Sequence, residues 1–256
     1  MTATRLAERA IVRLAPLETD EDVAEFLQGL ITNDVSGPLP VYAALLSAQG
    51  KTMFDFLVWP GEDGVLLIDC ERQSATDLIK RLSLYRLRRK IDISQDENLC
   101  VHWSKDGSKD GGKNRNADAK PDPRLEQLGF RWLAPAADTS SDDAKACDEL
   151  WRAHRLSLGV TEGEAELSDI LWLETNAIEL NGVSFEKGCY IGQENTARMN
   201  WRQKINRRLV VVPLAQSNEK RRKVAVPDLD LAIDHLRVAD LDKEALPDWQ
   251  RRAIAG

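Results

Sequence analysis

The order of strand-like and helix-like runs constrains this chain more than any other feature. Three β-type stretches, Val41–Ser47, Thr52–Trp59 and Val65–Cys70, follow one another with only turns between them. Those turns, Ala48-Gln49-Gly50 and Pro60-Gly61-Glu62-Asp63-Gly64, carry the residues that reverse a chain at low steric cost. A helical period follows in Ala75, Leu78, Ile79 and Leu82, then two more strand-like stretches near Lys90–Ser94 and Asn98–Trp103. Three strands, a helix and two strands predict an α+β unit with an antiparallel or mixed sheet, not the regular alternation of a doubly wound fold.

The flanking segments read as follows. Val23, Phe26, Leu27 and Leu30 place an amphipathic helix over Asp20–Leu30, with Thr19 or Asp20 as its cap. Ser104 to Lys120 (SKDGSKDGGKNRNADAK) has no apolar residue except two alanines, too few to offset its ordering entropy, so a mobile loop is expected near 104–120. A helix is expected over Ser141–Leu158 with Gly159 as its stop. Strands over Leu209–Val212 and near Leu231–Val238 suggest a short β-rich C-terminal subdomain, which divides the chain into 1–205 and 206–256.

Composition removes several function classes. A formal net charge of -7 disfavours a general nucleic-acid binder, because phosphate contacts want a basic surface. No stretch approaches the roughly 20 apolar residues of a bilayer span, so no membrane partner is expected. The first residues, MTATRLAERAIVRLAPLETD, hold no secretory apolar core, and Glu8, Glu18 and Asp20 oppose a transit peptide; a cytoplasmic location is the expectation. Cys70, Cys100, Cys147 and Cys189 lie far apart with no CxxC, as in reduced thiols. They do not resemble a zinc site or a cluster-ligating run, so no resident metal is expected. His102, His154 and His235 share no ligand spacing and read as structural. The tryptophans read as core or interface, with Trp201 the one nearest the chemistry. No Ser-His-Asp order, P-loop or dinucleotide fingerprint is present.

Chemistry concentrates between Leu171 and Leu209. Glu186 to Glu194 places Gly188 and Gly192 four residues apart around a thiol and a phenol, where glycine permits positive φ or close backbone approach. The stretch after Gly192 through Lys204 reads as a helix. Cys189 would sit just before its N-terminus and beside Lys187, and both influences favour the thiolate. Gln193, Glu194 and Arg198 offer hydrogen-bonding groups in the first turns, although Glu194 and Arg198, four apart, can simply pair with each other. Geometry alone leaves both a ligand site and a tight structural turn open.

Lys187-Gly188-Cys189-Tyr190-Ile191-Gly192-Gln193-Glu194 closely resembles the signature octapeptide of the YgfZ family, K-G-C-(F/Y)-x-G-Q-E. Phe26 to Val35, Ala44 to Lys51, Tyr85 to Arg89, Leu173 to Asn176 and Lys204 to Leu209 resemble further blocks of that family, in the same order. The resemblance implies a YgfZ/GcvT-like fold: three subdomains around a central folate channel. Residues 1–205 would form the folate-binding region, as two interleaved subdomains. By the same resemblance Glu174 would grip the pterin, since a carboxylate accepts two N–H donors from the aminopyrimidine edge. Asn33, Asp55, Asn176, Tyr190, Gln193, Glu194 and Arg198 would complete the folate site. The folate's anionic tail would want cations; Arg198, Arg202, Arg86, Arg88 and Arg89 are candidates that otherwise form a solvated face.

The implied function is a tetrahydrofolate-binding accessory protein for iron–sulfur cluster assembly or repair, with assembly or client proteins as transient partners. Cys189 with Lys187 would carry its chemistry, as nucleophile, redox thiol or transient cluster contact. The alternatives are a glycine-cleavage T-protein-like aminomethyltransferase and a non-catalytic folate-binding module, so enzymatic activity stays open. One departure bears on them: related aminomethyltransferases carry adjacent Asp residues where this chain has Phe54-Asp55, and a phenylalanine cannot orient an amine or act as a base.

Overall fold

A computed structural model describes residues 4–107, 116–136, 141–202 and 205–255. The chain opens with β1 (Arg5–Leu6) and β2 (Arg9–Pro16), followed by the short helix α1 (Val23–Gln28). α1 is shorter than the pattern predicts and is capped by Asp22, not by Thr19 or Asp20; the Asp22 carboxylate accepts the Glu25 backbone N–H at 2.9 Å. The three expected strands follow as β3 (Val41–Leu46), β4 (Thr52–Pro60) and β5 (Leu66–Glu71), then α2 (Ala75–Arg86) and β6 (Ile91–Asp96). These strands form one five-stranded antiparallel sheet in the order β3-β4-β5-β2-β6.

Alternation along the strands gives this sheet two apolar faces, and each is covered. Val12, Leu14, Phe56, Val58 and Ile68 pack against α1 and α2 through Phe26, Leu27, Leu78 and Leu82. Ile11, Leu57, Trp59 and Leu67 face the other way, into the core that holds Trp151, Trp172 and Leu173.

The last of the five expected strands, β7 (Leu99–Ser104), leaves this sheet. It pairs with β1 and with β9 (Phe130–Pro135), and β8 (Lys120–Pro121) completes a four-stranded layer, β1-β7-β9-β8. Residues 108–115 of the loop expected near 104–120 lie outside the described residues. Its flanks meet where the Asn116 N–H bonds the Gly107 carbonyl at 2.8 Å. Next come α3 (Ser141–Ser157), stopped by Gly159 at φ +75, then α4 (Glu164–Leu167), a 3-10 turn over Trp172–Thr175, and α5 (Gln193–Arg202). The C-terminal residues form a three-stranded antiparallel sheet from β10 (Arg207–Pro213), β11 (Arg222–Val226) and β12 (Leu231–Arg237), followed by α6 (Asp248–Ala255). No helix among the described residues is long and apolar enough to cross a membrane.

A buried ionic cluster joins these layers. Glu162, in the connection before α4, meets Arg124 at 2.5 Å, Arg131 at 3.1 Å and Arg9 at 3.4 Å. Asp69 on β5 bonds Arg9 on β2 at 2.6 Å and Arg131 on β9 at 2.9 Å, while Asp122 bonds Arg124 at 2.7 Å. Arg124 lies 5.2 Å from the Tyr42 ring centroid and Arg131 lies 4.4 Å from that of Trp151. Burial alone would raise the Glu162 carboxyl, yet Arg9, Arg124, Arg131 and Arg155 together hold it well below the usual range. Glu162→Ala would leave these guanidiniums short of their shared acceptor. It is expected to lower stability by about 3–5 kcal/mol, read from the midpoint of guanidinium chloride unfolding.

Candidate functional site

Cys189 stands on a loop that wraps the β3 edge of the five-stranded sheet. Tyr190 packs into the core on one side of the sheet and Ile191 against the core on the other. Gly192 makes this wrap possible. It sits at φ +82, and a Cβ there would lie 2.5 Å from the Ser47 carbonyl oxygen. Gly188 differs from the expectation: it is not among the positive-φ glycines, and a Cβ there would meet nothing within 4 Å.

Lys187 anchors the start of the loop. Its ammonium donates to the Gln28 carbonyl at 2.5 Å and the Ile31 carbonyl at 2.7 Å, both at the end of α1, and lies 4.7 Å from the Tyr190 ring centroid. Burial pulls this ammonium down to about 8, against the opposing influence of Asp34 and, more weakly, Cys189. Two of the three Lys187 ammonium donors are thus tied to backbone carbonyls at and just beyond the end of α1, and no hydrogen bond among the described residues joins it to Cys189. Three residues, Tyr190 to Gly192, also separate Cys189 from the first residue of α5.

The result is a thiol held outward. Of the four cysteines Cys189 alone is exposed, whereas Cys70, Cys100 and Cys147 are buried. Burial pushes both Cys70 and Cys147 up to about 12. Among the described residues no group of His, Cys, Asp or Glu is arranged to hold a metal ion.

Glu174 occupies the Trp172–Thr175 turn. Its Oε2 lies 2.9 Å from His235 Nε2 on β12, and its Oε1 makes no hydrogen bond with the described residues. The turn is fixed by the Trp172 N–H on the Gly50 carbonyl at 3.0 Å and the indole N–H on the Gly182 carbonyl at 3.0 Å. Gly50 is also the residue that Gly192 closes upon, so the Glu174 turn and the thiol loop meet at the Ser47–Gly50 bend. No hydrogen bond or ion pair among the described residues joins Glu174 to Cys189.

The remaining candidates separate. Both ends of the Asn176 amide are engaged, by the Leu209 carbonyl at 3.0 Å and by Arg208 at 3.3 Å. The Asn33 amide bonds the carbonyls of Tyr42 and Asn181. Tyr190 is buried. Glu194 and Arg198 are exposed and 3.6 Å apart, the self-pairing that their spacing allows. Gln193 is half-buried at the start of α5.

Asp55 is closed in as well. It takes the Tyr42 hydroxyl at 3.2 Å and the Gly163 N–H at 3.1 Å, and burial, then Glu162, push it up to about 6 against Arg9 and Arg124. Arg86, Arg88 and Arg89 lie at and just beyond the end of α2, whose Leu82 and Tyr85 pack on the sheet face opposite Trp172 and Leu173. The Arg202 side chain and Lys204 fall outside the described residues. A groove of about 740 Å³, lined among others by Arg13, Trp59, Leu67, Leu133 and Lys120, includes neither Glu174 nor Cys189.

Sequence reasoning missed His235, read as structural because it has no partner nearby in sequence. It also missed the inward turn of Lys187, since its acceptors are backbone carbonyls that no residue type reveals.

The fold is that of the glycine-cleavage aminomethyltransferases: the aminomethyltransferase T of Bartonella henselae superposes at a TM-score of 0.61 with 11% identity, covering 92% of this chain and 78% of that one. No family model matches the sequence. The chain is 33% identical over 236 residues to the human iron–sulfur cluster assembly factor IBA57, mitochondrial, spanning 81% of this chain and 65% of that protein. It is 30% identical over 236 residues to the IBA57 homolog of Neurospora crassa, spanning 81% and 52%. The chain belongs to the YgfZ/GcvT-like family, and it spans about half to two-thirds of the length of these curated relatives. Their names place them in mitochondria, so the cytoplasmic expectation finds no support there.

Two substitutions probe this geometry. Gly192→Ala forces a Cβ against the Ser47 carbonyl at a positive φ, and is expected to lower stability by about 1–3 kcal/mol in thermal or denaturant unfolding. Asp55 binds its proton more tightly folded (about 6) than at its ordinary 3.8, so it opposes folding fully above about pH 6 and not at all below pH 3.8. Asp55→Asn lifts that opposition. Its stability relative to the parent chain is expected to rise between pH 4 and pH 7 by up to about 3 kcal/mol, followed by urea titration at each pH.

Proposed function

We propose that this chain is an accessory factor for iron–sulfur cluster assembly or repair, with Cys189 as its working thiol. The observation that carries the reading is the outward presentation of Cys189 on a loop pinned by Lys187 and Gly192, while the other three thiols are buried. A single thiolate cannot hold a cluster by itself. The remaining ligands must then come from an assembly or client protein, and contact with the cluster is transient. The relatives' names as iron–sulfur cluster assembly factors support the reading. Exposed thiol chemistry of this kind suits a compartment that keeps cysteines reduced, which the cytoplasm and the mitochondrial matrix both do.

Tetrahydrofolate, or a one-carbon derivative, is the small molecule we place at Glu174. The residues there fit in part. One carboxylate oxygen is oriented by His235 and the other has no partner among the described residues, which leaves it able to accept from an aminopyrimidine edge. Asp55 does not fit, because both of its oxygens are engaged within the protein. Two facts weigh against aminomethyl transfer: Asp55 is enclosed, and Phe54 packs against the core on the opposite face of its sheet.

Thiol-reactive labelling of the folded protein tests the first part. Cys189 is expected to react roughly tenfold or more faster than the buried three, which react only when the fold opens; equal labelling of all four would remove the thiol assignment. Titration with tetrahydrofolate tests the second. Saturable binding, weakened about tenfold to a hundredfold by Glu174→Ala, is expected. An absence of binding would remove the folate and leave the thiol reading standing.

A further inference from the structure

Five large apolar side chains are mostly exposed among the described residues, and three of them, Leu17, Leu84 and Leu87, share one corner of the fold at 61%, 67% and 85% exposure. Leu84 and Leu87 lie three residues apart across the end of α2. Leu17 follows β2, where Pro16 pairs with Ile91 of β6, and its N–H bonds the Lys90 carbonyl at 2.7 Å.

The backbone at this corner is set against its own sequence. The Arg89 N–H bonds the Arg86 carbonyl at 2.9 Å, which closes a β-turn over Arg86–Arg89. Leu87, the second residue of that turn, sits at φ 51, ψ −110, the conformation of a type II′ turn. Glycine is the residue this position favours, and a leucine there is strained.

Surrounding bonds enforce the strain. The Arg86 guanidinium bonds the Ile91 carbonyl at 2.9 Å, while Arg89 bonds the Glu21 carboxylate at 2.5 Å and the Asp22 carbonyl at 2.7 Å. The Lys90 N–H takes the other Glu21 oxygen at 2.7 Å. The fold spends these contacts to hold an apolar side chain in water. A structural role for Leu87 would have it buried.

Charge around the leucines is directional. Arg81, Arg88 and Lys90 enter no side-chain ion pair among the described residues, whereas Glu18 and Asp20 are exposed beyond Leu17. We propose that this corner docks an amphipathic segment of a partner protein. Its apolar side chains would cover Leu84 and Leu87, and its acidic side chains would face Arg81, Arg88 and Lys90. Glu18, Asp20 and the net charge of -7 oppose an anionic membrane surface. The surface is independent of Cys189 and Glu174.

Fluorescence polarisation with the full chain tests it. The probe is a labelled helical peptide with leucines at i, i+3, i+4 and i+7 and glutamates along one flank; the same peptide with glutamine in place of glutamate is the control. The glutamate peptide is expected to bind, and Leu84→Ser and Arg88→Glu each to weaken it roughly tenfold or more. Leu87→Gly is expected to weaken it similarly while raising the melting temperature, because it relieves the turn. No binding, equal binding of the control, or affinity indifferent to these variants would overturn the proposal. So would a fall in melting temperature for Leu87→Gly, phosphatidylserine-vesicle binding in place of peptide binding, or self-association lost in Leu84→Ser.

Discussion

Glu162 and the guanidiniums around it are what the assembly of layers depends on. Arg9 comes from the five-stranded sheet, Arg131 from the four-stranded one, and Arg124 from the loop between β8 and β9; one buried carboxylate answers all three. Charges taken out of water are tolerated only when each finds an opposite charge at hydrogen-bond distance. The layers therefore have one relative arrangement that satisfies the cluster, and a shift of either sheet would strand a charge. Asp55 is enclosed beside the same cluster, bonded by Tyr42 and Gly163.

With Asp55 closed in, the proposed chemistry lies instead at the sheet edge, where Cys189 is exposed. The thiol loop is held by ties made elsewhere. Lys187 grips the end of α1, Tyr190 and Ile191 fill a core on each side of the edge strand, and Gly192 closes on the Ser47–Gly50 bend. What remains in solvent is Cys189. The Glu174 turn rests on the same bend through Trp172, so the two candidate centres share a support without sharing a hydrogen bond.

Much of this architecture was legible in the residues. β3, β4 and β5 announce themselves through alternation and turn chemistry, and α3 through its period and the glycine that stops it. β2 was not, although it is an interior strand, because Arg9 and Arg13 interrupt its apolar pattern; Arg9 is buried only because Asp69 and Glu162 receive it. β9 was missed for the same reason at Arg131. A buried charge looks like a surface charge until its partner is known, and Asp69, the acceptor that Arg9 and Arg131 share, lies 60 and 62 residues from them. The signature octapeptide was legible as a glycine-bearing loop ahead of a helix, but the inward course of Lys187 depends on carbonyls 156 and 159 residues distant.

The central claim is that one outward thiol does the work. The direct measurement is the activity of a resident iron–sulfur enzyme in cells whose own copy of this protein is replaced by the parent chain or by Cys189→Ser. The serine variant should fold with an unchanged melting temperature, since the thiol is exposed, and should fail to restore the enzyme. Full restoration by Cys189→Ser would contradict the account.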